Sequence, residues 1–552
     1  MWESRYRYCP SGGNADTDPS ATFERVAHAA ASVEPHDRTR WQQHFQELFD
    51  GLAFVPGGRI LAGAGTKRRV TLCNCFVMGA LRDDLAAIFD GLKEGALTMQ
   101  QGGGIGYDFS PLRPRGARAE QTANIASGPV SFMRVWDAMC DTMVSTSYRR
   151  GAMMATLRCD HPDILRFVRA KRDRRSLTHF NCSVLVSDAL MAAVAEDAPW
   201  PLRFDGQVHE TVSARGLWDE IVRQAYEASE PGVLFVDQIN RSNNLWYCET
   251  LSATNPCGEV PLPPYGACNL GSFNLTAFVR APFSAAARFD HTALAAQVPV
   301  AVRLLDNVID LSRFPLGEQR AEAHASRRVG LGFMGLGSAL AMLGLHYDSE
   351  AARAAAAAIM TTLRDAAYAA SCALAGERGV FPRFRRDEYL RGSFVERLPA
   401  PLQTDIGRLG LRNSHLTAIA PTGTISLLAD NVSSGIEPIF ETRYQRRIRR
   451  ADETLLVLDV EDRAHRLWRA GAPPDATTPE AFVAARDLSP EAHLNMQAAV
   501  QPLVDQAISK TINVPEGIAF DAFRDIYRKA FELEVKGVTT FRPRPDRPGV
   551  IT

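Results

Sequence analysis

The sequence predicts an α/β protein built on a mainly parallel sheet wrapped by helices. Three observations predict it. Between Val130 and an Ala-rich stretch at residues 350–375, strand-like and helix-like segments alternate, the pattern of successive β-α-β units. Apolar residues are 46% and charged residues 23% of 552, which suits a large globular enzyme: three or four ordinary domains, or one decorated α/β barrel. Third, an apolar strand, Leu416-Thr417-Ala418-Ile419-Ala420, runs through a turn, Pro421-Thr422-Gly423-Thr424-Ile425-Ser426, toward another helix.

The elements follow in order. The first fifty residues read as a helical cap. Residues 54–66 are too rich in glycine for a helix and read as loop. Residues 71–78 are a short strand candidate carrying Cys73 and Cys75. Leu85–Gln100 has helical periodicity. Gln101-Gly102-Gly103-Gly104-Ile105-Gly106-Tyr107 resembles a phosphate loop, but lacks both the Lys-Ser/Thr of a P-loop and the order of a dinucleotide fingerprint. Residues 181–186, 232–237 and 270–275 are β-like; residues 217–229, 298–311 and 328–343 are helical. The Pro/Arg segment at residues 542–548 cannot be helical.

Charge narrows the function classes. With 62 basic and 63 acidic residues the formal charge is -1, which argues against nucleic-acid or membrane attraction; the basic run at residues 446–450 reads as solvated surface. No run of 18 apolar residues and no apolar signal core at the start point to a membrane or export. Ten cysteines in such a chain suggest a reducing cytoplasm. Cys73 and Cys75 form C-x-C with no second pair, so no zinc site is expected.

The chemistry concentrates in Asn255-Pro256-Cys257-Gly258-Glu259, followed by Cys268 beyond a Pro-rich connection. In an extended segment, Asn255, Cys257 and Glu259 would share one face. A thiol between a carboxamide and a carboxylate outlines a redox or radical site; the competing account is two buried cysteines. The turn at Pro421 offers backbone N–H groups and hydroxyls to an anion such as a diphosphate, or is an ordinary helix cap.

Taken together these motifs resemble the catalytic chains of ribonucleotide reductases. Asn255–Glu259 with a cysteine eleven residues beyond Cys257, the Pro421–Ser426 turn, Asn74-Cys75-Phe76-Val77 and the run from Gly102 to Phe109 occur in the family's order. The wording at residues 149–157, 159–164 and 509–513 is most similar to the adenosylcobalamin-dependent class II enzymes. The resemblance implies a ten-stranded α/β barrel with a central finger loop near residues 255–268 and an N-terminal helical region, divided as residues 1–53, 54–545 and a tail at 546–552. It implies that Cys257 is the thiyl radical that takes the 3′ hydrogen of the ribose, that Glu259 accepts the 3′-hydroxyl proton, and that Asn255 holds the hydroxyls. Cys75 and Cys268 would reduce the substrate and end as a disulfide, with Cys73 a competing choice for Cys75. Asn74, Gly104 and the Pro421, Thr422, Gly423, Thr424, Ile425 segment would bind the substrate. Asp83, Arg150, Gly151 and a helix at residues 129–141 would serve a deoxynucleotide effector at a homodimer interface. The other six cysteines read as structural.

The same resemblance addresses the radical source. The region matching the paired tyrosines of class I chains is Thr539-Thr540, and the end resembles no glycyl-radical segment. Adenosylcobalamin is therefore the expected cofactor, with no protein metal site, although no Asp-x-His-x-x-Gly motif occurs. The alternatives are a class I catalytic subunit needing a radical-generating partner, or a non-catalytic nucleotide-binding component of a split reductase. The last cysteine is Cys372, so electrons are expected from a second chain or a thioredoxin-like reductant.

Overall fold

The structure is a computed structural model that describes residues 1–10, 15–117, 125–143, 152–173, 175–449 and 455–543. Its strands are, in chain order, β1 (Phe54–Pro56), β2 (Cys75–Val77), β3 (Gly104–Asp108), β4 (Met153–Arg158), β5 (Phe180–Val186), the ribbon β6 (Pro199–Phe204) and β7 (Gln207–Ser213), and β8 (Gly232–Phe235). There follow the short hairpin β9 (Ala253–Thr254) and β10 (Pro261–Leu262), β11 (Ala267–Asn274), the ribbon β12 (Val279–Arg280) and β13 (Arg288–Phe289), and β14 (Val329–Met334). The ribbon β15 (Arg443–Arg449) and β16 (Leu455–Glu461), then β17 (Thr511–Asn513) and β18 (Gly537–Phe541), complete the set.

One large sheet organises the molecule. β2, β3, β4, β5 and β8 pair in parallel, and β18 joins β8 antiparallel with β17 parallel to it. At the other edge β11 pairs antiparallel with β2, and β14 runs parallel to β11. Beyond β14 the contacts continue as isolated parallel bridges, Leu331 to Thr417 and Ile419 to Ile508. The expected strand at residues 416–420 exists only in this form, bonded through Leu331 N–H to Leu416 O (2.8 Å) and Ile419 N–H to Ala507 O (3.1 Å).

The helices at the N-terminus follow local signals. Asp18 accepts from Ala21 N–H (3.0 Å) and Pro19 opens the helix Pro19–Ala31, as an N-cap and first-turn proline should. That helix and Arg38–Phe49 pack on His291–Leu311. The last is long and apolar enough to cross a bilayer by composition, yet it is a core helix: Arg303, Asp306 and Asn307 are buried along it among ionic partners. Leu85–Gln100, Ala214–Ala228 and Glu350–Arg378 are helices where periodicity placed them.

Three expectations are corrected. Residues 54–66 are not all loop: β1 pairs Phe54 with Phe273 and buries it, and Gly58–Gly63 is a short helix. The glycine run ends in a strand, since Gly104–Asp108 is β3. Residues 328–343 are not one helix but β14 followed by Leu336–Met342. Gly330 and Gly332 weaken a helix there, and burial between β11 and the 416–419 segment favours the extended form.

The hairpin β9–β10 stands apart from the sheet and crosses one face of β3–β5. Thr156 Oγ1 donates to Ser252 O (2.8 Å), Asn181 Nδ2 to Pro256 O (2.7 Å) and Ala507 N–H to Glu259 O (2.9 Å). Gly106 makes this crossing possible: a Cβ there would overlap the Thr254 carbonyl. Gly106→Ala is expected to cost about 1–3 kcal/mol as an overpacked site. It is also expected to lower turnover at least tenfold by shifting the hairpin, read by denaturant unfolding and activity on the same preparation.

Candidate active site

The tip of the hairpin is a turn, not the extended segment assumed for residues 255–259. Gly258 N–H donates to Asn255 O (3.1 Å), so Pro256 and Cys257 are the central residues of a four-residue turn. Proline suits the first central position and glycine the last, and Gly258 has φ +82°, a conformation glycine adopts without strain. Asn255 Oδ1 accepts from Val260 N–H (3.0 Å) and locks the loop from within. The three side chains are therefore divided. Asn255 and Glu259 are each 2% exposed, whereas Cys257 is exposed at the tip.

Register brings the second pair of thiols together. Cys75 and Cys268 are direct partners across the β2–β11 ladder. Antiparallel partners have Cα atoms about 4.5–5.5 Å apart, within the span of a disulfide. Both are reduced and buried. Cys73 precedes β2 and points to Ser312 (Sγ to Oγ 3.9 Å), so it is not the partner of Cys268 in this register. Asn255 Nδ2 donates to Cys75 Sγ (3.2 Å), and that thiol faces Glu259 Oε1 at 3.9 Å. Burial pushes the Cys75 thiol well up, and the Glu259 charge pushes it further. Burial does the same to Cys268, the neighbouring Cys73 adds to it, and Arg328 offsets part of it. Both are thus held as neutral S–H groups at neutral pH, able to deliver hydrogen as well as electrons.

Cys75, Asn255, Cys257 and Glu259 open on a cleft of about 350 Å³, which the buried Cys268 does not line. Asn74, Cys75 and Gly104 line it on one side, Asn255, Cys257 and Glu259 on another, and Pro421–Ile425 close it. Asn74 Oδ1 is buried with no hydrogen-bond partner among the described residues, an acceptor left for a ligand hydroxyl or amine. Thr422 sits at φ +51°, strained for a branched residue, and is held by Gly435 N–H donating to its Oγ1 (2.8 Å). Arg59, Tyr6 and Ser272 were not foreseen. Arg59 and Ser272 line the cleft, and Tyr6 Oη donates to Thr424 Oγ1 (2.7 Å). Ser272 carried a readable signal, lying two steps of period two along β11 from Cys268. Tyr6 carried none, because its contact spans 418 positions.

The effector residues fare differently. Asp83 is paired with Arg113 (2.6 Å) and accepts from its N–H (3.1 Å). Arg150 and Gly151 lie outside the described residues. The helix expected at residues 129–141 is Pro129–Thr142. Of the cysteines read as structural, Cys140, Cys159, Cys182 and Cys372 are buried, but Cys9 and Cys248 are exposed.

A family profile described as the ribonucleotide reductase barrel domain matches residues 73–541, and one described as the ribonucleotide reductase all-alpha domain matches residues 1–69. The chain belongs to the ribonucleotide reductase family. Among the reductases it is 40% identical to a protein of Mycobacterium tuberculosis (strain CDC 1551 / Oshkosh) named vitamin B12-dependent ribonucleoside-diphosphate reductase, over 94% of this chain and 74% of that one. A reductase of the same name from Thermoplasma acidophilum is 35% identical over 92% of this chain and 66% of its own. The vitamin B12-dependent ribonucleotide reductase of Streptomyces coelicolor is 28% identical over 87% and 57%.

Proposed function

We propose that this reductase converts ribonucleotides to 2′-deoxyribonucleotides for DNA synthesis, with adenosylcobalamin as radical source and diphosphates as substrates. The gathering of Cys257, Asn255, Glu259 and Cys75 on one cleft closed by the Pro421 turn, with Cys268 the ladder partner of Cys75, carries this reading, and the names of its relatives support cofactor and substrate.

The residues fit the cofactor. Cys257 is exposed where a large group can reach its sulfur. On the face the hairpin crosses, one row of the sheet carries small side chains: Thr156 and Ser183 are partners, Ser183 pairs with Gly232, and Thr539 pairs with Thr511. A Cβ on Gly232 would crowd Ser183 Oγ at 3.1 Å and Thr539 Oγ1 at 3.3 Å, so the glycine lets these small side chains sit close together along the row. Asn181, Ser183 and Thr539 would face the group. When bound, adenosylcobalamin supplies an organic radical by breaking its cobalt–carbon bond.

The chain's own steps then follow. The Cys257 thiyl takes the 3′ hydrogen atom and becomes a thiol. Glu259 accepts the 3′-hydroxyl proton as general base. Asn255 and the Asn74 carboxamide orient the hydroxyls, and the Pro421–Ile425 backbone holds the phosphates beside Arg59. The 2′ carbon–oxygen bond breaks and the oxygen leaves as water. Cys75 and Cys268 give two electrons and two hydrogens and close a disulfide, while Cys257 returns the 3′ hydrogen.

Architecture fits this assignment. Ten strand positions around β2, β3, β4, β5, β8, β18, β17, residues 415–419, β14 and β11 would close a barrel of two five-stranded parallel halves joined antiparallel at β8–β18 and β11–β2, with the hairpin as its finger. Residues 1–53 would be the helical region, 54–545 the barrel and 546–552 a tail outside the described residues. Exposed Leu85 and Phe89 on Leu85–Gln100, beside Pro129–Thr142, suit a homodimer face with the effector near Asp83. Purified protein with adenosylcobalamin, dithiothreitol and a ribonucleoside diphosphate is expected to form deoxynucleotide over many turnovers. Activity only on adding a second radical-generating chain would refute the cofactor assignment.

A further inference from the structure

The two thiols that pair across β2 and β11 are not equally reachable. Cys75 lines the catalytic cleft, and Asn255, which also lines it, donates to the Cys75 sulfur (3.2 Å). Cys268 is 0% exposed and lines no part of that cleft. Its sulfur lies over Gly330 of β14, where a Cβ would meet it at 3.3 Å. Arg328 stands two residues before Gly330, the spacing that returns to the same face of an extended chain. Arg328 is a buried cation, its side chain 1% exposed. Its Nη2 pairs with Glu249, and its Nη1 donates to Pro261 O in the hairpin (3.4 Å). Among the described residues its Nε–H has no hydrogen-bond partner, and neither has Glu249 Oε2. A buried ion pair is costly to dehydrate, and an unused buried donor adds to that cost. A negative charge that forms nearby during the reaction offsets it. Beyond burial and the neighbouring Cys73, the groups that act on the Cys268 thiol are Arg328, Glu259 and Asp505, and Arg328 is the cation among them.

Reopening a Cys75–Cys268 disulfide creates such a charge. A dithiol reductant attacks one sulfur as thiolate and expels the other as thiolate. The cleft presents Cys75 to the reductant, which leaves Cys268 as the sulfur expelled. Resting on the reading that these thiols close a disulfide in each turnover, we propose that the reductant attacks Cys75 and that Arg328 is the counter-charge that stabilises the departing Cys268 thiolate. In the first exchange a sulfur–sulfur bond forms between reductant and Cys75 as the Cys75–Cys268 bond breaks. In the second, the other sulfur of the reductant displaces Cys75 and closes the reductant's own disulfide. The two protons that the dithiol gives up end on Cys75 and Cys268.

The test uses the full chain oxidised with diamide, without substrate or adenosylcobalamin, so that the disulfide forms independently of turnover. A chain that passes here yet forms no deoxynucleotide refutes the reaction alone; one that forms no Cys75–Cys268 disulfide overturns the proposal. In the parent, 2-mercaptoethanol followed by an acid quench is expected to leave its adduct on Cys75, read by peptide mapping. An adduct on Cys268 overturns the direction of attack. With dithiothreitol, Arg328→Met/Glu249→Gln is expected to open the disulfide at least about tenfold more slowly than the parent, and Arg328→Lys to recover most of the rate. The double change avoids stranding Glu249 as a lone buried charge. Both thiols are neutral once reduced, so Arg328 favours neither end state. The equilibrium ratio of dithiol to disulfide against dithiothreitol is therefore expected to stay within about twofold in every variant. A slower rate with a shifted equilibrium marks a merely structural role and overturns the proposal. So does an undiminished rate in the double variant, or an Arg328→Lys chain as slow as that variant.

Discussion

Cys257→Ala is expected to lose deoxynucleotide formation by on the order of 10⁴-fold or more, because the residue proposed to start the reaction cannot be replaced by the rest of the site. The side chain is exposed at a turn tip, so its removal leaves no cavity, and the melting temperature should stay within a few degrees of the parent. The decisive readout is isotopic. In the proposed role Cys257 is the group that removes the 3′ hydrogen, so release of tritium from a 3′-labelled ribonucleotide should vanish with it. A variant that keeps tritium release and turnover would refute the assignment.

Cys75→Ala and Cys268→Ala are expected to separate the two halves of the chemistry. Each removes one of the paired thiols that would supply the electrons, so each should lower multiple turnover by roughly 10³-fold or more. Neither removes Cys257, Glu259 or Asn255, and 3′ tritium release should persist in both. Cys73→Ala is the control: its thiol contacts Ser312 Oγ and lies outside the Cys75–Cys268 register, and turnover should stay within a few-fold. In the parent, one equivalent of substrate turned over without dithiothreitol should leave a Cys75–Cys268 disulfide, detectable by peptide mapping. Finding Cys73 in that disulfide would overturn the register argument.

Much of the site was legible where the signal is local. The turn from Asn255 to Gly258 carries its residue types at the positions that turn geometry requires, and the helix Leu85–Gln100 shows its period directly. The reading of residues 255–259 as extended failed because alternation of polar groups is also compatible with a turn closed by Asn255. Phe54 and residues 328–334 were misplaced for a different reason. Their extended form depends on partners at Phe273 and along β11, far away in the chain, and no local preference reports them. Arg59 and Tyr6 escaped notice because nothing near them in the sequence has chemistry; their importance is their location.

By itself the sequence determined the inventory of this reductase: a thiol flanked by a carboxamide and a carboxylate, two further thiols, and a phosphate-suited turn, in the family's order. It also determined the tightness of the hairpin tip, since Pro256 and Gly258 act within four residues. Only the tertiary structure decided which thiols meet, which side chains are dry, and where the hairpin lies. Those outcomes depend on sheet register, on the burial it imposes, and on the close approach that Gly106 permits between β3 and the hairpin. A register shift of one residue would turn Cys75 to the opposite face, out of the buried cluster it forms with Val77, Cys268 and Leu270.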